Sequence, residues 1–163
     1  MLDDPFKYGL LAALAIALLV AAATDLRSRR IGNWLTGAIA AAAPLFWWAE
    51  GLALWPDVAW QIGMALATFA VLAGLLALKA MGGGDVKLLT ALALWIRPEA
   101  FVTLLIVMAL AGGVLTVVFG MGHVIRRRKD RLAIPYGVAI ALAAWWTIGL
   151  YYVPATAAAA TFG

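Results

Sequence analysis

The chain has 163 residues, of which 66% are hydrophobic and 12% are charged, and its net charge is +4. A soluble domain has about half apolar and about a quarter charged residues, so this composition excludes an ordinary soluble fold and indicates an integral membrane protein. The absence of cysteine excludes disulfides, a thiol nucleophile and a cysteine-ligated zinc site. The single histidine, His123, argues against a histidine metal site, and we expect no metal and no cofactor.

Six apolar runs predict six transmembrane helices in one all-α, polytopic domain over residues 1–163, since a helix needs about 20 apolar residues to cross the hydrocarbon core. The fourth run is short, which is typical of a tilted or re-entrant helix or of a locally thinned bilayer. The predicted spans cover residues 6–24, 33–48, 58–78, 86–96, 100–122 and 134–153.

Basic residues are concentrated on one side of this layout. The loops after the first, third and fifth spans carry ten of the 12 lysines and arginines, and only Lys7 and Arg97 fall on the other side. By the positive-inside rule these loops face the cytoplasm, so both termini are expected on the non-cytoplasmic side. This bias explains the positive net charge, and we expect no nucleic-acid partner. Residues 1–23 end in small residues as a signal peptide does, but Asp3 and Asp4 make the N-terminus negative, and we expect a retained span.

Two aspartates lie at membrane depth. Asp25 ends the first predicted span, and Asp85 lies between the third and fourth spans. Two crossings separate them, so both are expected at the cytoplasmic face although they are 60 positions apart (85 − 25). Ionisable groups at this depth are costly and usually functional. The alternative is structural: each aspartate caps a helix, or Asp25 pairs with the nearby Arg27, Arg29 or Arg30.

Three consecutive glycines, Gly82, Gly83 and Gly84, precede Asp85. Glycine costs a helix about 1 kcal/mol relative to alanine, so we expect the run to weaken the end of the third span, to let the backbone leave helical geometry and to let another chain approach closely. A peptide must be extended to be cut, and a pliable backbone beside a carboxylate suits a membrane protease. Two carboxylates that meet share a proton: the ionised one takes a proton from water, and the protonated one donates to the scissile carbonyl oxygen.

Three sequence motifs occur in a consistent order along the chain. They read Asp25 with Ile31-Gly32-Asn33, Gly82-Gly83-Gly84-Asp85 with Lys87 two positions later, and Pro135-Tyr136-Gly137. They resemble the motifs D-x-x-x-x-x-I-P-N, G-x-G-D and P-Y/F-G of the type IV prepilin leader peptidases, which are membrane aspartic endopeptidases. The chain is most similar to the short form of tight-adherence (Flp-type) pilus systems. Gly32 departs from the family, which usually has proline there, and glycine loosens the start of the second span.

The resemblance implies an activity, a substrate and a location. Asp25 and Asp85 would be the catalytic residues. The partner would be a prepilin precursor with a short basic leader, cut at the cytoplasmic face of the bacterial inner membrane. Longer members also methylate the new N-terminus and carry a large cytoplasmic insertion after the first span. Only residues 25–32 separate the first two spans here, so we expect a peptidase without methyltransferase activity.

Several supporting residues have both a functional and a structural interpretation. Lys87 either steadies a carboxylate or the substrate, or only follows the positive-inside trend. Asn33 is expected to cap the second span, and Pro135 to begin the sixth. Tyr136 has a possible place in a substrate groove. The basic run Arg126–Arg131 is expected to contact anionic membrane lipids.

Three other interpretations stay open at this point. A small transporter or channel would use Asp25 and Asp85 to carry protons or to bind a cation. A non-catalytic scaffold of a secretion or pilus assembly would need neither aspartate. An intramembrane protease of the presenilin kind also has a G-x-G-D motif, but its other aspartate follows a tyrosine, and here Thr24 precedes Asp25.

Overall fold

The computed structural model describes residues 5–125 and 135–153, with the side chains of 122–125 excepted, and every regular element in this part of the chain is a helix. The all-helical prediction is therefore confirmed there. The basic run Arg126–Arg131, the side chain of His123 and the tail from Pro154 lie outside the described residues. Six helices follow one another: α1 (Pro5–Ser28), α2 (Asn33–Ala49), α3 (Ala59–Ala77), α4 (Gly83–Ala93), α5 (Pro98–Ile125) and α6 (Tyr136–Tyr151).

In the part of the chain that the structure describes, three helical segments are long and apolar enough to cross a bilayer: Pro5–Ser28, Leu54–Ala77, which includes the kinked turn before α3, and Pro98–Met121. The others are shorter, with 17 residues in α2, 11 in α4 and 16 in α6. At a rise of 1.5 Å per residue, α4 is about 16 Å long, roughly half the thickness of the hydrocarbon core. Six crossings and the side of the termini stay predictions.

Helix α4 lies at the centre of the bundle, although it is the shortest helix. It packs against α2, α3 and α6, and α6 packs in turn against α1 and α5. The side chains of Val86, Leu88, Leu89 and Leu92 are almost completely buried. In contrast, α3 leaves most of its large apolar side chains exposed and α5 leaves about half of its described ones exposed, as helices that face lipid do.

The C-terminal end of α4 is capped by side chains of neighbouring helices. Trp47 of α2 donates from Nε1 to the carbonyl oxygen of Leu94 at 2.6 Å. Gln61 of α3, which is buried, donates from Nε2 to the carbonyl oxygens of Ala93 and Ile96 at 2.8 and 2.7 Å. The last carbonyls of a helix have no partner within it, and lipid offers none. These donors therefore allow a short helix to end inside the protein.

The first helix is longer than predicted: it continues to Ser28 instead of ending at Thr24, so Asp25 lies in its last turn. The hydroxyl of Thr24 donates to the carbonyl oxygen of Val20, and that of Ser28 donates to the carbonyl oxygen of Thr24. Both bonds stay within the helix and do not compete with it. The helix ends at Ser28, because the next residue, Arg29, has a left-handed φ of 55°.

Candidate active site

Asp25 is buried at the junction of α1 and α6, with only 7% of its surface exposed. Its Oδ2 accepts a hydrogen bond of 2.9 Å from the backbone N–H of Gly137, in the first turn of α6. Within the described residues, Asp25 forms no ion pair with an arginine or lysine. Arg29 is close enough to interact electrostatically with Asp25, but the two side chains do not form the ion pair of the structural alternative.

Asp85 lies in the first turn of α4, half-buried and outside the three long apolar segments. Burial is the main cause that raises the pKa of Asp85 to about 6; the nearby charge of Asp25 acts in the same direction, whereas a backbone hydrogen bond from Gly82 opposes the shift. The end of α1 and the start of α4 thus bring the two carboxylates to the same end of the bundle, close enough to interact electrostatically.

The three glycines before Asp85 differ in what surrounds them. A Cβ on Gly82 would lie 2.9 Å from Oδ2 of Asp85, and a Cβ on Gly84 would lie 3.2 Å from Cβ of Ile31. At Gly83 the nearest atoms are methyls of Leu76 at 3.9 Å, an ordinary contact. The first and third glycines therefore make room for the catalytic candidate and for the segment after α1, while the middle one is free to vary.

The expectation that these glycines let the backbone leave helical geometry holds at Gly82 alone, whose backbone is extended with φ −75° and ψ 143°. Gly83 and Gly84 belong to α4, Gly82 is its N-cap, and none of the three has a positive φ. The residue that turns the chain after α3 is Lys79, with a φ of 57°. The run therefore serves close approach, and the backbone freedom of glycine is not used.

The Asn33 prediction also needs correction. Gly32 is the N-cap of α2, and its carbonyl oxygen accepts the N–H groups of Leu35 and Thr36. Asn33 is the first residue of the helix, and its Oδ1 accepts a hydrogen bond of 2.8 Å from Nζ of Lys87. Lys87 thus contacts neither carboxylate and joins α2 to α4 beside them.

The third motif lies where α6 begins. Pro135 is the N-cap residue, Tyr136 is the first helical residue, and Gly137 contacts Asp25. The Tyr136 ring lies against Gly112 of α5, where a Cβ would be 3.0 Å from Cε1, and 38% of the tyrosine stays exposed. Gly112 and Gly113 are adjacent small residues whose sequence predicts close helix packing, and the structure shows such a contact at Gly112, whereas a Cβ on Gly113 would meet no atom within 4 Å.

Within the described residues, no group of three histidine, aspartate or glutamate side chains is placed to hold a metal. What the described site does contain is two carboxylates on separate helices, and burial raises the pKa of one of them, Asp85. Such a pair can take a proton from a water molecule and give one to a carbonyl oxygen.

One comparison with known proteins gives a match. The model of the type IV leader peptidase family matches residues 12–117, well over half of the chain. The matched region contains Asp25 and Asp85 but ends before α6. No curated protein and no solved structure matches.

Proposed function

The chain belongs to the type IV leader peptidase family, and we propose that it is an aspartic endopeptidase of the bacterial inner membrane. It removes the short leader from Flp-like prepilin precursors at the cytoplasmic face. One observation supports this proposal: Asp25 and Asp85 come from separate helices and lie near enough to interact electrostatically at one end of the bundle. A scaffold has no need of such a costly arrangement.

The proposed mechanism uses one proton shared by the two carboxylates. The ionised carboxylate accepts a proton from a water molecule, whose oxygen bonds to the carbon of the scissile amide. The protonated carboxylate gives its proton to the carbonyl oxygen, which forms a tetrahedral diol. The C–N bond then breaks: the protonated carboxylate gives its proton to the leaving nitrogen, and one hydroxyl of the diol gives its proton to the other carboxylate. The products are an amine and a carboxylic acid, and the dyad of Asp25 and Asp85 again holds one proton. No covalent enzyme intermediate forms.

The predicted lack of methyltransferase activity is supported by the short connection between α1 and α2. Four residues, 29–32, join Ser28 to Asn33, so the chain has no cytoplasmic domain at this position. We expect the purified protein to cleave a precursor without transferring a methyl group from S-adenosylmethionine. Methylation of the new N-terminus by the purified protein would contradict this part of the proposal.

The test is a cleavage assay in a host that lacks other leader peptidases. A pilin precursor from the same genome is co-expressed with the wild type, Asp25→Asn, Asp85→Asn and the control Asp57→Asn, an exposed aspartate near the other end of the bundle. We expect the wild type and the control to process the precursor and both site variants to fail at equal protein level. Processing that survives both substitutions would favour a scaffold, and proton flux into proteoliposomes that depends on Asp85 would favour a transporter.

A further inference from the structure

We propose that Gly137 is a positioning residue: its N–H holds Oδ2 of Asp25, and its missing side chain leaves the space that this carboxyl group fills. Oδ1 is then the oxygen left to accept the proton of the attacking water. This inference rests on the proposed peptidase function and adds a part of the site from α6, beyond the residues 12–117 that the family model matches.

The contact between Gly137 and Asp25 is closer than any other residue type permits. A Cβ on Gly137 would lie 2.9 Å from Oδ2 of Asp25 and 3.0 Å from both its Cβ and its Cγ. A real Cβ practically never comes as close to another atom as 2.9 Å, and contacts of 3.0 Å are tighter than nearly all real ones. The two carbon atoms lie near the backbone of α1 and are not the tip of a long side chain. An alanine here therefore displaces the carboxyl group, the start of α6, or both.

The backbone gives no other reason for this glycine. Gly137 lies inside α6 and its φ is not positive, so an alanine would suit the helix better. The N–H groups in the first turn of a helix have no partner within that helix, and Asp25 supplies one for Gly137. Gly137 weakens α6 but leaves the space that the buried Asp25 carboxyl group fills, so this carboxyl group is the reason for a glycine at this position.

The position of this N–H is set by a neighbouring helix. The Tyr136 ring packs on Gly112 of α5, and α5 and α6 pack along each other. The start of α6 is therefore held from one side by α5 and from the other by Asp25. A hydrogen bond between residues 112 positions apart then fixes the plane of the carboxyl group.

The first experiment compares the purified variants Gly137→Ala and Gly149→Ala. Gly149 lies in the same helix, and a Cβ there would meet no atom within 4 Å, so it is a matched control for the effect of alanine on α6. With a prepilin peptide as substrate, we expect Gly137→Ala to lower kcat about 100-fold and to leave KM within about twofold, because misplacing a reacting group by about 1 Å has this effect. A kcat close to that of Gly149→Ala would overturn the proposal.

A second readout does not depend on cleavage. The charge of Asp25 raises the pKa of Asp85, so displacing the Asp25 carboxyl group in Gly137→Ala must change that pKa. Carboxyl-carbon NMR of selectively labelled aspartate measures it, and we expect a shift in Gly137→Ala and none in Gly149→Ala. If the wild type cleaves no precursor, the peptidase function fails, but an unchanged Asp85 pKa is what would overturn the role of Gly137.

A stability cycle covers the case in which Gly137→Ala folds poorly. Asp25→Ala removes the carboxyl group that the new methyl would meet. We therefore expect Gly137→Ala to lower Tm in the wild-type background and to lower it much less in the Asp25→Ala background. Equal losses of Tm in both backgrounds would show that Gly137 does not act through Asp25, and would overturn the proposal.

Discussion

Gly82, Gly83 and Gly84 form one run, yet each faces a different neighbour. Gly82 faces the carboxylate of Asp85, Gly84 faces Ile31 from the segment after α1, and Gly83 makes only an ordinary contact with Leu76. Gly83 stands at the variable position of the motif G-x-G-D, and its surroundings have room for a Cβ. Gly82 thus makes room for a carboxylate of the candidate active site, whereas Gly84 makes room for the packing of Ile31.

Alanine substitutions in this run are therefore expected to give three different results. Gly82→Ala displaces the carboxylate of Asp85 and lowers the cleavage rate about 100-fold with little change in Tm, because the contacted atom ends a side chain. Gly84→Ala pushes against Ile31 and lowers the free energy of unfolding by about 1–3 kcal/mol. Gly83→Ala keeps both properties and is the control. Cleavage rates and Tm of the three purified variants test this, and equal effects at all three positions would contradict it.

The raised pKa of Asp85 has a consequence for stability. Its pKa is 3.8 ordinarily and about 6 in the folded protein, so the folded state binds the proton more tightly than the unfolded state. The stability that this proton contributes is fully present below pH 3.8 and is lost as pH rises through about 6. Above that pH, Asp85 is ionised and half-buried near Asp25, which destabilises the fold.

We expect Asp85→Asn to remove this dependence on pH. Relative to the wild type, the Tm of the variant should rise between about pH 4 and about pH 7.5, because asparagine keeps the shape and carries no charge. Thermal unfolding in detergent at both pH values measures the difference, with Asp57→Asn as an exposed control that should follow the wild type. A Tm difference between Asp85→Asn and the wild type that does not change with pH would contradict the prediction.

At the scale of the elements, the short helix α4 depends on its neighbours. Its N-terminus carries Asp85, and its last carbonyls are bonded by Trp47 and Gln61. A helix of about 16 Å is too short to reach both surfaces of a bilayer. The backbone groups at one of its ends must therefore find hydrogen-bond partners inside the protein. The hydrogen bonds from Trp47 and Gln61 at the C-terminal end of α4 thus stabilise the helix whose N-terminal turn carries Asp85.

Replacing Gln61 by leucine should show how much this support contributes. The change leaves the carbonyl oxygens of Ala93 and Ile96 without their buried donor, and each orphaned group costs about 1–3 kcal/mol. We expect the variant to have a lower Tm than the wild type. At temperatures where the variant is still folded, we expect it to lose little of its cleavage rate. Trp60→Leu, at the exposed neighbouring position, is the control, and a Gln61→Leu variant as stable as this control would contradict the role of the cap.

The whole molecule has two chemically different ends. The dyad end carries basic residues such as Arg29 and Lys87, while the other end carries Glu50, Asp57 and Glu99. Lys7 and Glu50 form an ion pair at that second end, which joins the start of α1 to the end of α2. This distribution agrees with the predicted orientation, in which the dyad faces the cytoplasm.

The orientation can be tested directly because the chain has no cysteine. We expect Glu99→Cys, an exposed position at the acidic end, to react in intact cells with a thiol reagent that does not cross the membrane. Ser28→Cys, exposed at the dyad end, should react only after the membrane is opened. Labelling of both positions in opened cells controls for accessibility, and the reverse pattern in intact cells would refute a cytoplasmic dyad.

The sequence by itself determined the helical class, the approximate bounds of the six helices and the two carboxylates as candidates. These follow from local properties, since the length of an apolar run and the number of turns between two residues are read along the chain. The same count explains why Asp25 and Asp85 are found at one end of the bundle. The end of α1 was predicted less well, because Thr24 and Ser28 stay helical by bonding within the helix.

Only the tertiary structure decided which groups touch at the site. It placed Gly137 against Asp25, Ile31 against Gly84 and Lys87 on Asn33, pairs separated by 112 positions in the first case and 54 in the last. No spacing in the sequence encodes such contacts, because they depend on how the helices cross and how closely they pack. The sequence shows a glycine in the first two of these pairs. Which atom lies against each glycine is known only from the packing of the helices.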